Sequence, residues 1–363
     1  CSSHELEEPI SYCHIEKGGN TSMKKTNIGI IGAGRIGTVH GQSITYHIPQ
    51  AEVSMISDVD KSRAKTLAVS LQVSAYTDHY RDLLANPDID AVLICSPTNT
   101  HADIIIEAAR AGKHIFCEKP VDLTIAKILA TKDAVRAAGV KLQIGFNRRF
   151  DHNHKRVRDI AASGALGKIE LIKITSRDPE PPSEQYAAAS GGLFIDMMIH
   201  DFDMAQFLAG SKVVQVYAVG ASLIDPAIGR AGDVDTAIVT LTFANGALGV
   251  IDNSRRAAYG YDQRVEVFGE KGMAAGENDT DTTVRISTQK GVLLDKPKYF
   301  FLERYMESFI NEMKSFIKAI TADEPVAVTV DDALSPVVLA IAAKRSWLEH
   351  RPVSTEEITG EQP

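Results

Sequence analysis

No uninterrupted apolar run in this chain reaches the roughly 18 residues that a helix needs to cross a bilayer, so no membrane span is expected. Basic residues are outnumbered, 39 to 47, for a formal net charge of −8. A surface that neutralises a nucleic-acid backbone needs the opposite imbalance. The basic pairs Arg148-Arg149 and Arg255-Arg256 stand alone instead of forming a stripe. Cysteine is scarce: four residues, at positions 1, 13, 95 and 117, with no CxxC or zinc-like spacing. Cys95 and Cys117 close apolar, strand-like runs and read as reduced core thiols. Internal repeats and low-complexity segments are absent. What remains, 44% hydrophobic and 24% charged over 363 residues, is the composition of a two-domain globular protein. Residues 1–23 are polar, lack the apolar core of a signal peptide and precede Met23-Lys24-Lys25. They read as a disordered extension, and the chain as cytoplasmic.

The run "NIGIIG" (27–32) has the length and β-branching of a buried parallel strand, and it runs directly into Gly32-Ala33-Gly34-Arg35-Ile36-Gly37. A helical stretch follows, then a second strand, "AEVSMIS", ending in Asp58, 21 residues after Gly37. A glycine turn by itself is weak evidence. Between strand and helix, with an acid at that distance, it predicts a dinucleotide site. Gly32 permits the turn, Gly34 lets backbone approach a pyrophosphate, and Gly37 lets the helix lie close to the strand. Asp58 would accept hydrogen bonds from ribose hydroxyls and repel a 2′-phosphate, which favours NAD over NADP. Further strands at 91–95, 114–117 and 141–146 alternate with helices, so residues 24–147 predict a doubly wound parallel sheet. Ser96-Pro97-Thr98-Asn99, Glu118-Lys119-Pro120 and Asn147-Arg148-Arg149 each follow a strand, so polar chemistry gathers on one edge. Pro120 biases Lys119 away from helical geometry and holds it extended at that edge.

Residues 148–350 change character, with β-rich runs and an Asn245-Gly246 hairpin signal. They predict an α+β domain with an open, largely antiparallel sheet, closed by helices at 302–322 and 331–349, with 351–363 as a tail. Its most unusual stretch is "SGGLFIDMMIHDFDMAQFL" (190–208), apolar yet carrying Asp196, His200, Asp201 and Asp203. As one helix, it puts Asp196, His200, Asp203 and Phe207 within roughly a 60° sector. Asp201 then points elsewhere, as a solvated or capping charge. The polar stripe admits a structural Asp–His pair, a metal site without an evident further ligand set, or a catalytic acid–base group. The last reading is favoured, with Asp196 orienting the imidazole.

The glycine turn, "CEKP" (117–120) and "GG…D…H" (191–200) resemble the glucose-fructose oxidoreductase/inositol dehydrogenase family over residues 26 to about 350. "GFNRRFD", "TSRDPEPP" and "NSRRAAYGYDQRVEVFG" are most similar to its inositol 2-dehydrogenase branch. The resemblance implies NAD-dependent oxidation of a ring hydroxyl, myo-inositol to 2-keto-inositol, with no metal. It implies His200 as base, Lys119 bonding the reacting oxygen and Asp196 steadying His200. It implies cofactor contacts at Gly32, Ala33, Gly34, Arg35, Ile36, Gly37, Asp58, Ser96, Pro97, Asn99, His101, Glu118 and Lys119. Arg148, Asp178, Asp203 and Tyr261 become candidates for gripping the other hydroxyls. A cis Lys119–Pro120 bond and a homodimer or homotetramer built through the open sheet also follow. The extension before Met23 departs from the family pattern, as does Gln206, where arginine is expected. An NAD-dependent sugar dehydrogenase or glycosidase of the same family is the alternative. An NAD-binding regulator is disfavoured by the intact Lys119, Asp196 and His200.

Overall fold

A computed structural model describes residues 24–360; the expected extension, with Cys1 and Cys13, lies outside them. The apolar runs of the first half become β1 (Thr26–Ile31), β2 (Ala51–Ser57), β3 (Ala75–Thr77), β4 (Ala91–Ile94), β5 (His114–Glu118) and β6 (Leu142–Gly145). All of their pairings are parallel, in the order β3-β2-β1-β4-β5-β6. Strand order reverses between β1 and β4, which opens a crevice at the carboxyl ends of the strands. All four residues of β4 are buried because helices cover both faces of the sheet. Cys95 and Cys117 are free and buried, as expected.

The cover comes partly from the far end of the chain. Met313, Phe316 and Ile317 of the helix Met306–Thr321 pack against Ile28, Leu93 and Phe116 on one face. Val330, Ala333 and Val337 of the helix Val330–Glu349 pack against Val92, Ile115 and Ile144 on the other. Each fully buried side chain of this size contributes about 1.5–3 kcal/mol, so the first sheet is not closed without the C-terminal third. The helix expected over 302–322 breaks at Tyr305 into Phe301–Arg304 and Met306–Thr321.

The second sheet holds β7 (Ile169–Arg177), β8 (Val213–Ala221), β9 (Thr236–Phe243), β10 (Leu248–Ser254), β11 (Asp262–Gly269) and β12 (Gly272–Gly276). A separate hairpin joins β13 (Arg285–Thr288) to β14 (Gly291–Leu294), and β15 (Val353–Ser354) edges the larger sheet in the order β12-β11-β7-β10-β9-β8-β15. Only β7–β10 is parallel among these pairs. The stretch set apart as a tail therefore supplies a strand. Gly246, at φ +86°, turns β9 into β10 where the hairpin was expected. Ile172, Val239, Leu241 and Ile251 face Phe202, Leu208, Leu339 and Ala343 across the core of this domain.

Candidate active site

The glycine turn is built for close approach. Gly32 sits at φ +101°, and a Cβ there would lie 2.6 Å from the Cys95 carbonyl. A Cβ on Gly37 would meet the Gly32 oxygen at 2.0 Å, so strand and helix touch backbone to backbone. Gly34 faces open space, and no side chain caps the helix Arg35–His47 that begins there. Its first N–H groups are available to a phosphate. The Asp58 carboxylate, at the end of β2, is held by the Ala33 and Asp60 amides at 2.8 and 2.9 Å. A cavity of about 790 Å³ is lined by Gly32, Gly34, Asp58, Ser96, Pro97 and Asn99. These features fit the adenosine and pyrophosphate of NAD. Arg35 is exposed at the helix start, while Ile36 packs beside Val39 and Phe309.

Two expected cofactor contacts do other work. His101 is 1% exposed, with Nε2 2.7 Å from the Ser96 carbonyl and Nδ1 2.8 Å from that of Pro120. It ties the loop after β4 to the loop after β5. Glu118 turns its carboxylate inward, to His40 Nε2 at 2.6 Å and to the Lys119 amide at 3.3 Å.

The Lys119–Pro120 bond is cis, and Lys119 Nζ donates to the Asp196 carbonyl at 3.0 Å. His200 lies beside Phe146, ring centroids 6.0 Å apart. Burial, together with the charges of Lys119 and Arg148, pushes the pKa of His200 well below its usual value. The imidazole is therefore neutral near pH 7 and able to accept a proton.

Asp196 does not steady His200 in this structure. Its Oδ1 accepts from the Tyr186 hydroxyl at 3.0 Å and its Oδ2 from Arg255 at 3.2 Å, while His200 Nδ1 has no partner. The reason is local. Gly191 and Gly192 take φ of +88° and +81°, and the Leu193 amide is bound by Asp233 at 3.0 Å. Leu193–Met197 then winds as a π-turn before the α-helix Ile199–Ala209 begins. The wider turn breaks the i, i+4 register that a single α-helix assumes.

The two acids that follow, within the regular helix, differ from expectation for another reason, the arginines that meet them. Asp201, expected to be solvated, is 0% exposed and bound by Arg148 at 2.6 Å and Asn253 at 2.9 Å. Arg148 also reaches the Tyr261 hydroxyl at 3.4 Å, and both side chains are buried. Asp203, expected at the substrate, is 1% exposed and gripped by Arg149 through contacts of 2.6 and 3.0 Å. Arg149 also bonds Asp332, in the first turn of the helix Val330–Glu349. Both carboxyl pKa values are raised by burial, with the arginines opposing. Gln206, the departure from the pattern, accepts from Ser335 and from the Val213 amide.

Arg255 is the site residue that nothing in the sequence pointed to. It is 4% exposed and binds Asp178 at 3.1 Å as well as Asp196. In one dimension it was half of an isolated basic pair. The parallel β7–β10 register, with Arg177 opposite Ser254, carries the chain on to set Asp178 beside Arg255.

Two family models cover most of this architecture. Residues 26–146 match the "Oxidoreductase family, NAD-binding Rossmann fold", and residues 154–275 the "GFO/IDH/MocA C-terminal domain". An uncharacterised oxidoreductase of Bacillus subtilis is 53% identical over 92% of this chain and 97% of its own. The chain belongs to the GFO/IDH/MocA oxidoreductase family. Another member, the myo-inositol 2-dehydrogenase of Thermotoga maritima, is 48% identical over 92% of this chain and 99% of its own. The solved scyllo-inositol dehydrogenase of Lactobacillus casei, with NAD(H) and scyllo-inositol bound, superposes at a TM-score of 0.85 with 29% identity, covering 92% of this chain and 99% of that one. As in the rest of the family, the first sheet is an NAD-binding fold and the chemistry is oxidoreduction.

Proposed function

We propose that this family member oxidises a ring secondary hydroxyl of a cyclitol, with myo-inositol giving 2-keto-inositol. NAD⁺ supplies the hydride acceptor when bound. The observation that carries the reading is the meeting, at the carboxyl edge of the parallel sheet, of Lys119, a neutral His200 and two carboxylates on one arginine. His200 takes the hydroxyl proton as the ring carbon gives up hydride, so the alcohol loses two electrons and two hydrogens. Lys119 donates to the same oxygen and stabilises the negative charge that develops there. Asp178 and Asp196, held by Arg255, grip neighbouring hydroxyls. This replaces the role first read for Asp196, because its carboxylate is aimed by Arg255 and Tyr186. Arg148, buried on Asp201 and Tyr261, adds its charge to the burial that keeps His200 neutral. A panel of cyclitols and sugars tested with NAD⁺ decides the substrate. NADH formation with inositols above all others supports the reading, whereas preference for an aldose, or glycoside cleavage without net NADH, refutes it.

The active unit is a homo-oligomer formed through the outer face of the second sheet. Leu248, Leu171, Phe268 and Met273 lie opposite one another across four adjacent strands, and all are exposed. Val219 and Ile238 extend the face across β8 and β9. Exposed apolar side chains gathered on one sheet face favour association, and Lys173 and Glu266, paired between them across β7 and β11, add polar contacts for a second copy of the same sheet.

A further inference from the structure

Behind the Glu118-Lys119 corner lies a polar group that the reaction does not use. Glu312, on the helix Met306–Thr321, is 0% exposed, and neither of its carboxylate oxygens has a hydrogen-bond partner. His40 from the helix Arg35–His47 and Glu118 from β5 stand around it, with one side-chain polar atom of each of the three within 4.8 Å of the others. Two buried thiols, Cys95 at the end of β4 and Cys117 in β5, also stand near these carboxylates, and burial pushes both thiol pKa values up. From β6, the neutral Gln143 donates to the Glu312 main-chain oxygen at 3.1 Å. The rings of Phe116 and Phe309 close over His40, with centroids 5.0 and 5.6 Å away.

An ionised carboxylate in this setting would face a second carboxylate with no lysine or arginine among these neighbours. Such a group neutralises instead of remaining charged. We infer that Glu312 is a neutral, proton-carrying acid that holds the Glu118 carboxylate, and through it the Lys119 main chain, in place. Glu118 has two tasks already, since Oε1 lies 2.6 Å from His40 Nε2 and Oε2 accepts from the Lys119 amide. A hydroxyl on Glu312 supplies the third donor that a buried carboxylate needs. The two carboxyl groups already stand with oxygens within 4.8 Å of each other. Burial, and then the charge of Glu118, push the pKa of Glu312 well above its usual value, in agreement with this geometry. Glu312 is a positioning residue, acting on Lys119 through Glu118. That positioning role rests on the proposed function, whereas the retained proton does not.

The test compares E312Q, a neutral donor of the same shape, with E312V, which has none. A group whose folded pKa is raised gives stability that is complete below its unfolded pKa and lost as pH rises through the folded one. Wild-type enzyme therefore loses thermal stability with rising pH, and E312Q escapes that loss. The two melting temperatures should agree near pH 5 and separate at pH 9, with E312Q the higher. An infrared band of a protonated carboxyl, present in wild type and missing in E312Q, reports the proton directly. In turnover, E312Q should stay within about twofold of wild type, while E312V loses roughly five- to tenfold in kcat, the effect of one hydrogen bond. An E312Q variant less stable at every pH overturns the inference. So does one equivalent of divalent metal copurifying with wild type and lost from E312Q, which would make Glu312 an anionic ligand. Full turnover in a folded E312V overturns the positioning role. Absence of turnover with every cyclitol refutes the proposed function and leaves the melting and infrared results standing.

Discussion

At the scale of single residues, the base role proposed for His200 rests on its surroundings and not on a carboxylate partner. Burial disfavours the imidazolium, and the charges of Lys119 and Arg148 add to that preference. Removing the imidazole in His200→Ala should lower turnover by about 10²–10⁴-fold with little change in NAD affinity. The pH profile carries the sign of the shift. The neutral form accepts the proton, and it persists to pH values well below the ordinary histidine range. The acid limb of kcat/KM belonging to His200 therefore falls well below pH 6.5, and a limb at or above 6.5 would contradict the environment described. His200 and Lys119 were legible in the sequence because each sits at a strand end or in a polar break within an apolar run. Arg255 was not, because its function arises from a register between two strands that no local pattern encodes.

At the scale of elements, the glycine turn, five of the six parallel strands (the three-residue β3 is too short to show a period) and the hairpin at Gly246 could be read from periodicity and turn chemistry. The π-turn at Leu193–Met197 could not. It turns the Asp196 carboxylate away from His200, toward Tyr186 and Arg255. The buried partners of Asp201 and Asp203 are arginines distant in sequence, which no local pattern shows. The Arg149 pair gives a stability prediction. Asp203→Ala leaves Arg149 buried with only Asp332 as counter-charge, and losing one partner of a buried pair should cost about 3 kcal/mol in denaturant unfolding. The KM for cyclitol should hardly change in the folded variant. A raised KM with unaltered stability would return Asp203 to the substrate. The C-terminal helices also escaped a boundary drawn from sequence, because their apolar faces serve two cores at once.

At the scale of the whole molecule, the two halves meet where Lys119 donates to the Asp196 carbonyl, beside the Asp178–Arg255–Asp196 group. The outer face of the second sheet keeps its apolar side chains exposed. Sedimentation should show a dimer or tetramer, and Leu248→Glu combined with Phe268→Glu should reduce it to a smaller species that stays folded. A monomeric wild type, or an intact assembly in the double variant, would contradict that packing. The account as a whole stands on hydride leaving a ring carbon that bears a hydroxyl. Turnover of myo-inositol carrying deuterium at the oxidised carbon, compared with unlabelled substrate, tests this most directly. The account predicts deuterium at C4 of the NADH formed, slower turnover under conditions where the chemical step limits, and much weaker reaction with NADP⁺ because Asp58 opposes the 2′-phosphate. NADH formed without transferred deuterium, or no NADH from any cyclitol, would contradict it.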